Sequence, residues 1–304
     1  MTSDTSGTSG TSDRTARFGP IGIWSGSLHQ PAPGDAGGVA EAVAELDELG
    51  YGTIWVGGNP SVEEAATVVG ATRRITVATG ILSIWQHEAS AVAEQVAAVE
   101  RAAPGRFVLG LGVSHDALAP KYARPYSTMV GYLDALDAAP EPVPAGNRVL
   151  AALGPKMLAL ASGRSAGAHP YLVSPEHTAR ARAALGPGAL LAPEVGVVLD
   201  TDLDRARTTA RAVLSFYLGL PNYSGNLLRL GFTEDDFVDG GSARLLDALF
   251  ALGDAETVRA RVDAYRAAGA DHVALQVLRP EGATGLPRAE WRELAAVFSL
   301  PGAA

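Results

Sequence analysis

The sequence contains no cysteine. Disulfides, a thiol nucleophile, thiolate zinc sites and cysteine-bound iron–sulfur clusters are therefore excluded. Lysine is almost missing as well. Of 24 basic residues only Lys121 and Lys156 are lysines, which leaves few anchors for a Schiff base. No run reaches the roughly 20 apolar residues of a membrane helix, so no membrane span is expected. A positive balance is absent: the net charge of −9 argues against a nucleic-acid-binding surface. The six histidines form neither His-x-His nor His-x-x-x-His, so no metal site is expected. Nor does Gly-x-Gly-x-x-Gly follow the first predicted strand, where a Rossmann unit would need it.

What is present is a chain of 304 residues, 47% hydrophobic and 19% charged, enough for a large core. Residues 1–16 begin MTSDTSGTSGTSDRT and read as a disordered tail, because Thr, Ser, Gly and Asp bury too little to offset ordering entropy. The tail has no apolar stretch of a secretory signal, which points to the cytoplasm. Residues 17–304 read as one domain of alternating strands and helices.

Predicted strands cover Phe18–Trp24, Gly52–Val56, Ile75–Leu82, Phe107–Val113, Arg148–Ala152, Ala166–His169, Leu190–Leu199 and His272–Leu278. Helical periodicities lie between them, with Gly50 and Gly269 as stops, Ser174-Pro175 and Asp202 as starts, and Pro155 opening a fifth helix. An irregular insert runs from Leu218 to Gly253, before the last β/α unit. Eight β/α units predict an α/β TIM (β/α)8 barrel with an insert.

In such barrels reacting groups sit on loops after the strands. His29, His87, His115 and His169 fall in or beside those loops. Each reads either as a hydrogen-bonded loop histidine or as a site residue. Gly154-Pro155-Lys156 joins a strand to a helix N-terminus; it is a tight turn or an anion site. Gly80 marks either packing or the approach of a ligand to backbone. Gly110 and Gly112 leave one strand face bare, for a flat ring or for a crowded barrel interior. Trp24, Trp55 and Trp85 lie near strand ends, as core or as walls for a planar ligand.

The stretches ATGILSIWQHEASAVAEQ, PGRFVLGLGVSHDAL, RVLAALGPKMLALASGRSAGAHPY and GADHVALQVL resemble the luciferase-like monooxygenase superfamily, and within it the oxidoreductases that use the deazaflavin coenzyme F420. The likeness runs from about Phe18 to Phe298. It implies a TIM barrel of the bacterial luciferase-like type, a homodimer, and a flat redox ring across the barrel mouth. It also implies a non-proline cis peptide at Gly80-Ile81 behind that ring. Trp24, from its place at a strand end, and Ser83, in the loop after Gly80-Ile81, are further expected cofactor contacts. Ring and ribityl contacts map onto Gly112, Val113, Ser114 and His115. Phosphate-region contacts map onto Ala152, Leu153, Gly154, Pro155 and Lys156, and onto Gly167, Ala168 and His169.

One departure stands out. Enzymes of this branch carry an acid and a histidine just after strand two, where this chain reads Gly57-Gly58-Asn59. The expected activity is hydride transfer between coenzyme F420 and a small organic substrate, with His115 and then His29 as candidate proton carriers. The F420 polyglutamate tail calls for a basic patch, for which Lys121, Arg124, Lys156 and Arg164 are available. The alternatives are a flavin mononucleotide (FMN)-dependent monooxygenase and a cofactor-binding barrel without catalysis.

Overall fold

The computed structural model describes residues 16–30, 38–115 and 122–303. Most of the expected tail, together with Lys121, lies outside these residues; Ala16, the tail's last residue, is helical.

Every strand pairing is parallel. From β1 (Ile21–Ser25) the sheet runs through β2 (Thr53–Gly57), β3 (Thr76–Gly80), β5 (Phe107–Gly112), β6 (Arg148–Leu150) and β7 (Gly167–Ala168) to β8 (Leu190–Leu191). The short β4 (Leu82–Ser83) continues β3 and pairs with β5. On the other side of β1 lies β11 (Val273–Val277), then β9 (Glu194–Leu199).

Only Ala192-Pro193 separates β8 from β9, and both neighbours hold this joint. Glu194 N donates to Pro170 O at 2.9 Å, and Ala274 N donates to Pro193 O at 3.0 Å. The ring therefore closes, with β3–β4 and β8–β9 each acting as one interrupted strand. Pro193 causes the second break, because proline cannot donate to a ladder. The predicted strands Ile75–Leu82 and Leu190–Leu199 are thus each observed as two pieces. The first is interrupted at Ile81, and the Gly80-Ile81 peptide is cis.

Helices cover the outside, and local chemistry sets their ends. In α1 (Gly38–Leu49), Val43 and Leu46 face the strands; Gly50 follows with φ +87° and ends the helix. A reciprocal Ser61–Glu64 capping box opens α2 (Val62–Gly70). After α3 (Ala89–Ala102) and α4 (Pro125–Asp137), α5 (Pro155–Arg164) starts on its proline. Ser174 caps α6 (Pro175–Leu185), and Asp202 caps α7 (Leu203–Leu218).

The insert is more regular than its sequence suggests. It forms α8 (Pro221–Arg229), a 3-10 stretch (Glu234–Gly240), α9 (Ala243–Leu249) and an unpredicted strand, β10 (Phe250–Gly253), which pairs with β9 outside the ring. Its apolar cluster, with Leu214, Tyr223, Leu227 and Phe250, is separate from the layer between barrel and helices. The circuit ends with α10 (Ala255–Ala267) and α11 (Arg288–Val297).

Inside the barrel, small residues surround one large one. Ala78, Val108, Val149, Leu190, Ala192 and Ala274 pack about Trp55, which is fully buried. Phe18 lies on one side of the Trp55 ring at 6.3 Å and His169 on the other at 4.0 Å, with only 3° between the last two ring planes. This aromatic column fills the barrel axis and forms the base on which the mouth is built.

Candidate active site

Above the column is a cavity of about 410 Å³ at the C-terminal ends of the strands, within the range of small-molecule sites. Its strand-derived wall is Gly80, Ile81, Ser83, Ser114 and Ala151; Trp24, Gly58, Asn59 and Gln86 form one flank. His169 and Glu194 close it towards the barrel interior. Tyr171 and the insert-side residues Phe216, Tyr217 and Tyr223, with His115, close it on the other side.

Trp24 is held in place by glycine. A Cβ at Gly57 would lie 2.2 Å from its indole, and one at Gly80 would lie 2.9 Å away. The indole N–H donates to Gly80 O at 2.8 Å. Asn59, where the resemblance calls for acid–base residues, is a brace instead. Its side-chain carbonyl accepts from Ser83 N at 2.7 Å and its amide donates to Gln86 at 2.6 Å. With φ +67°, it occupies the left-handed region that asparagine tolerates.

Trp24, Gly80, Ile81, Ser83, Ser114, His115 and His169 all meet at this cavity. The other expected site residues do not line it. His29 faces an adjoining hollow of about 380 Å³ that shares Trp24 and Gly58 with the cavity. Gly112 presents no bare face, because the Ile81 side chain sits where its Cβ would be. Gly110 is filled likewise, with a Cβ position only 1.9 Å from Thr79 O. At both glycines barrel packing leaves no room for a side chain. The Val113 carbonyl accepts the indole N–H of Trp85.

Ala152 is buried, and Leu153 O is held by His177 at 3.0 Å. Gly154 and Pro155 open α5 with open space at Gly154, and Lys156 is exposed. Gly167 and Ala168 are packed within the ring, with a Cβ at Gly167 only 1.9 Å from Leu190 O. Arg164 is ion-paired with Asp134 and Asp137, which removes it from the expected basic patch.

The cavity's electrostatics follow from burial. His169 Nδ1–H donates to Ala192 O at 2.7 Å, so Nε2 carries the lone pair. Burial lowers the imidazole to about 4. Glu194, 4% exposed, brings Oε2 to 3.7 Å from that Nε2, and burial pushes its carboxyl well above the ordinary range. Burial disfavours the charged form of both groups, so it works against an ion pair here.

Burial also lowers His115, whose ring lies 5.2 Å from Tyr223. Tyr171, Tyr217 and Tyr223 pack edge-to-face at 5.0–6.0 Å, all raised chiefly by burial. Three buried polar atoms at the cavity have no partner among the described residues: His169 Nε2, Glu194 Oε1 and His115 Nδ1. No arginine or lysine among the described residues lines the cavity. Such an arrangement suits a flat, polar-edged organic group, whose edge would satisfy the orphaned atoms.

Glu194 and the tyrosine cluster were not singled out from the sequence. A lone carboxylate inside the apolar run LLAPEVGVVL was the available signal, since glutamate is seldom fully buried. Tyr223 is buried against His115 and the other tyrosines.

The fold has solved counterparts. An F420-dependent secondary alcohol dehydrogenase, in complex with an F420-acetone adduct, superposes with a TM-score of 0.70 at 14% identity, over 94% of this chain and 99% of that one. The coenzyme F420-dependent tetrahydromethanopterin reductase of Methanopyrus kandleri gives 0.65 at 16% identity, over 93% and 97%. The oxygenating constituent of 3,6-diketocamphane monooxygenase from Pseudomonas putida, in complex with FMN, gives 0.63 at 13%, over 94% and 98%. No curated protein matches the sequence significantly. Residues 18–272 match the family described as luciferase-like monooxygenases, and with this match over most of its length the chain belongs to that family.

Proposed function

We propose that the chain is an oxidoreductase that moves hydride between coenzyme F420 and a small organic substrate in the barrel-mouth cavity. The observation that carries this reading is the set of orphaned polar atoms, His169 Nε2, Glu194 Oε1 and His115 Nδ1, around a cavity walled by Gly80 and Ile81. The family membership and the two F420-dependent structural counterparts support it. When bound, the deazaflavin supplies the hydride chemistry; the protein supplies binding, orientation and exclusion of water.

Gly80, Ile81, Ser83 and Ser114 form the wall for the ring. Tyr171, Tyr217 and Tyr223 shield the site from water. His115, neutral because burial lowers it, holds or receives a proton at its orphaned nitrogen. Lys156 and Arg124 are the exposed cations left for an anionic tail. Assembly as a homodimer belongs to the same proposal.

One observation favours a second reading, an FMN-dependent monooxygenase. Asn59 is committed to bracing Ser83 and Gln86, so the site after β2 holds no acid–base pair. Titrating the purified protein with F420 and with FMN, followed by fluorescence, separates the two. Saturable binding of F420 in preference to FMN is the expected result. Binding of FMN alone selects the monooxygenase, and binding of neither ends the redox assignment. With F420 bound, His115→Ala should reduce turnover far more than cofactor affinity; unchanged turnover removes His115 from the chemistry.

A further inference from the structure

We infer that Glu194 is the proton donor of the cavity, held as a neutral acid next to His169, and that the substrate it serves is an uncharged carbonyl compound. This rests on the oxidoreductase proposal and adds the substrate class and the acid.

The argument starts with position. Glu194 is the first residue of β9, directly after the break at Pro193. Its backbone N–H is committed to Pro170 O at 2.9 Å, which fixes the main chain at the joint that closes the barrel. The side chain is 4% exposed and lines the cavity, and Oε1 has no partner. A carboxyl placed this way is a group presented to a ligand rather than one used to hold the fold together.

The groups facing it have no charge to stabilise an anion. His169 points its Nε2 lone pair at Oε2 from 3.7 Å, and it cannot offer the other nitrogen, since Nδ1–H is bound to Ala192 O and the ring is stacked flat on Trp55. From the β7–α6 loop, α7 and α8 come Tyr171, Tyr217 and Tyr223. Beyond them His115 contributes a neutral imidazole packed on Tyr223. His272, across Trp55, is also neutral and accepts the Trp55 indole N–H. No lysine or arginine among the described residues reaches the cavity. An ionised Glu194 would have tyrosine hydroxyls near it but no cation among the described residues, so burial favours the protonated form.

A neutral acid and an acceptor nitrogen side by side select the ligand. A carboxylate or phosphate substrate would lose its hydration with no cation among the described residues to replace it. A ketone or aldehyde instead offers an oxygen that accepts from Glu194 O–H. When its carbonyl carbon takes hydride from a reduced deazaflavin, the C=O π bond breaks and a C–H bond forms. The oxygen then takes the proton of Glu194 as a new O–H bond. Glu194 is left as carboxylate and regains its proton from water once the product leaves. Even a weak carboxylic acid suffices, because a developing alkoxide is far more basic than any carboxylate. In the reverse direction the same group receives the alcohol proton.

Infrared spectroscopy of the cofactor-free protein tests the protonation state without any assumption about activity. A protonated carboxyl band should persist at neutral pH in the wild type and vanish in Glu194→Gln; coincident spectra overturn the inference. The second readout is ketone reduction by the F420-loaded enzyme. In Glu194→Gln kcat should fall by about a hundredfold or more, the usual weight of a general acid and out of proportion to any change in F420 affinity, and Glu194→Asp should recover part of it. A kcat equal to the wild type's overturns the donor role. Faster turnover of carboxylate substrates than of neutral ketones overturns the substrate class. If the wild type fails to bind F420, the oxidoreductase proposal falls on that result alone, and the infrared band still judges Glu194 by itself.

Discussion

Lowering the pH from neutrality should destabilise this protein before its carboxylates titrate, because two neutral imidazoles are sealed in the barrel axis. His272 donates Nδ1–H to Gly19 O at 2.8 Å and accepts the Trp55 indole N–H on Nε2 at 3.0 Å, leaving no lone pair for a proton. His169 is stacked on the same indole. Burial lowers both to about 4. An unfolded chain titrates its histidines near 6.5.

The unfolded state therefore binds protons first as the pH falls. The stability is intact above about pH 6.5, declines towards pH 4 and levels off below it. Each imidazole accounts for about 3 kcal/mol of that loss, a large share of a typical total of about 5–15 kcal/mol. Glu194 acts with the opposite sign. Its raised carboxyl keeps a proton that the unfolded chain releases above the ordinary carboxyl range, so its contribution falls as the pH rises.

Urea unfolding between pH 5 and 6 separates these terms. His272→Gln should flatten the dependence of unfolding free energy on pH by roughly 1.4 kcal/mol per pH unit, the weight of one proton, and Glu194→Gln should steepen it. Equal slopes in all three proteins, or the two variants shifting in the same direction, would refute the reasoning that these groups are neutral in the fold.

Two further predictions concern packing at the mouth. Gly110→Ala places a methyl 1.9 Å from Thr79 O and should cost about 2–3 kcal/mol or more, read as a lower urea midpoint with an unchanged slope; a midpoint equal to the wild type's would show that β3 and β5 can part freely. Asn59→Ala removes two hydrogen bonds and puts alanine at φ +67°, for a loss of about 2–3 kcal/mol, while Asn59→Gly should recover the backbone share of that loss.

The sequence by itself determined the order of β/α units, the closed barrel class and most helix starts. Those signals are local: apolar spacing in α1 and α10, Pro155 and Ser174-Pro175 at first turns, Asp202 as a cap. Each acts within a turn or two of chain, so its physics is readable in order along the chain. The resemblance added the cis Gly80-Ile81 peptide and brought Ser114, His115 and Trp24 to one mouth. Tertiary structure alone decided that Ile81 fills the place beside Gly112 and that Asn59 is a brace. It also decided that His29 opens on a neighbouring hollow, and that Arg164 is spent on Asp134 and Asp137. Above all it placed Glu194 against His169, 25 positions earlier in the chain, under tyrosines from the β7–α6 loop and the insert. Whether a carboxyl is buried, and what faces it there, depends on which distant segments pack around it, and only ring closure brings those segments together.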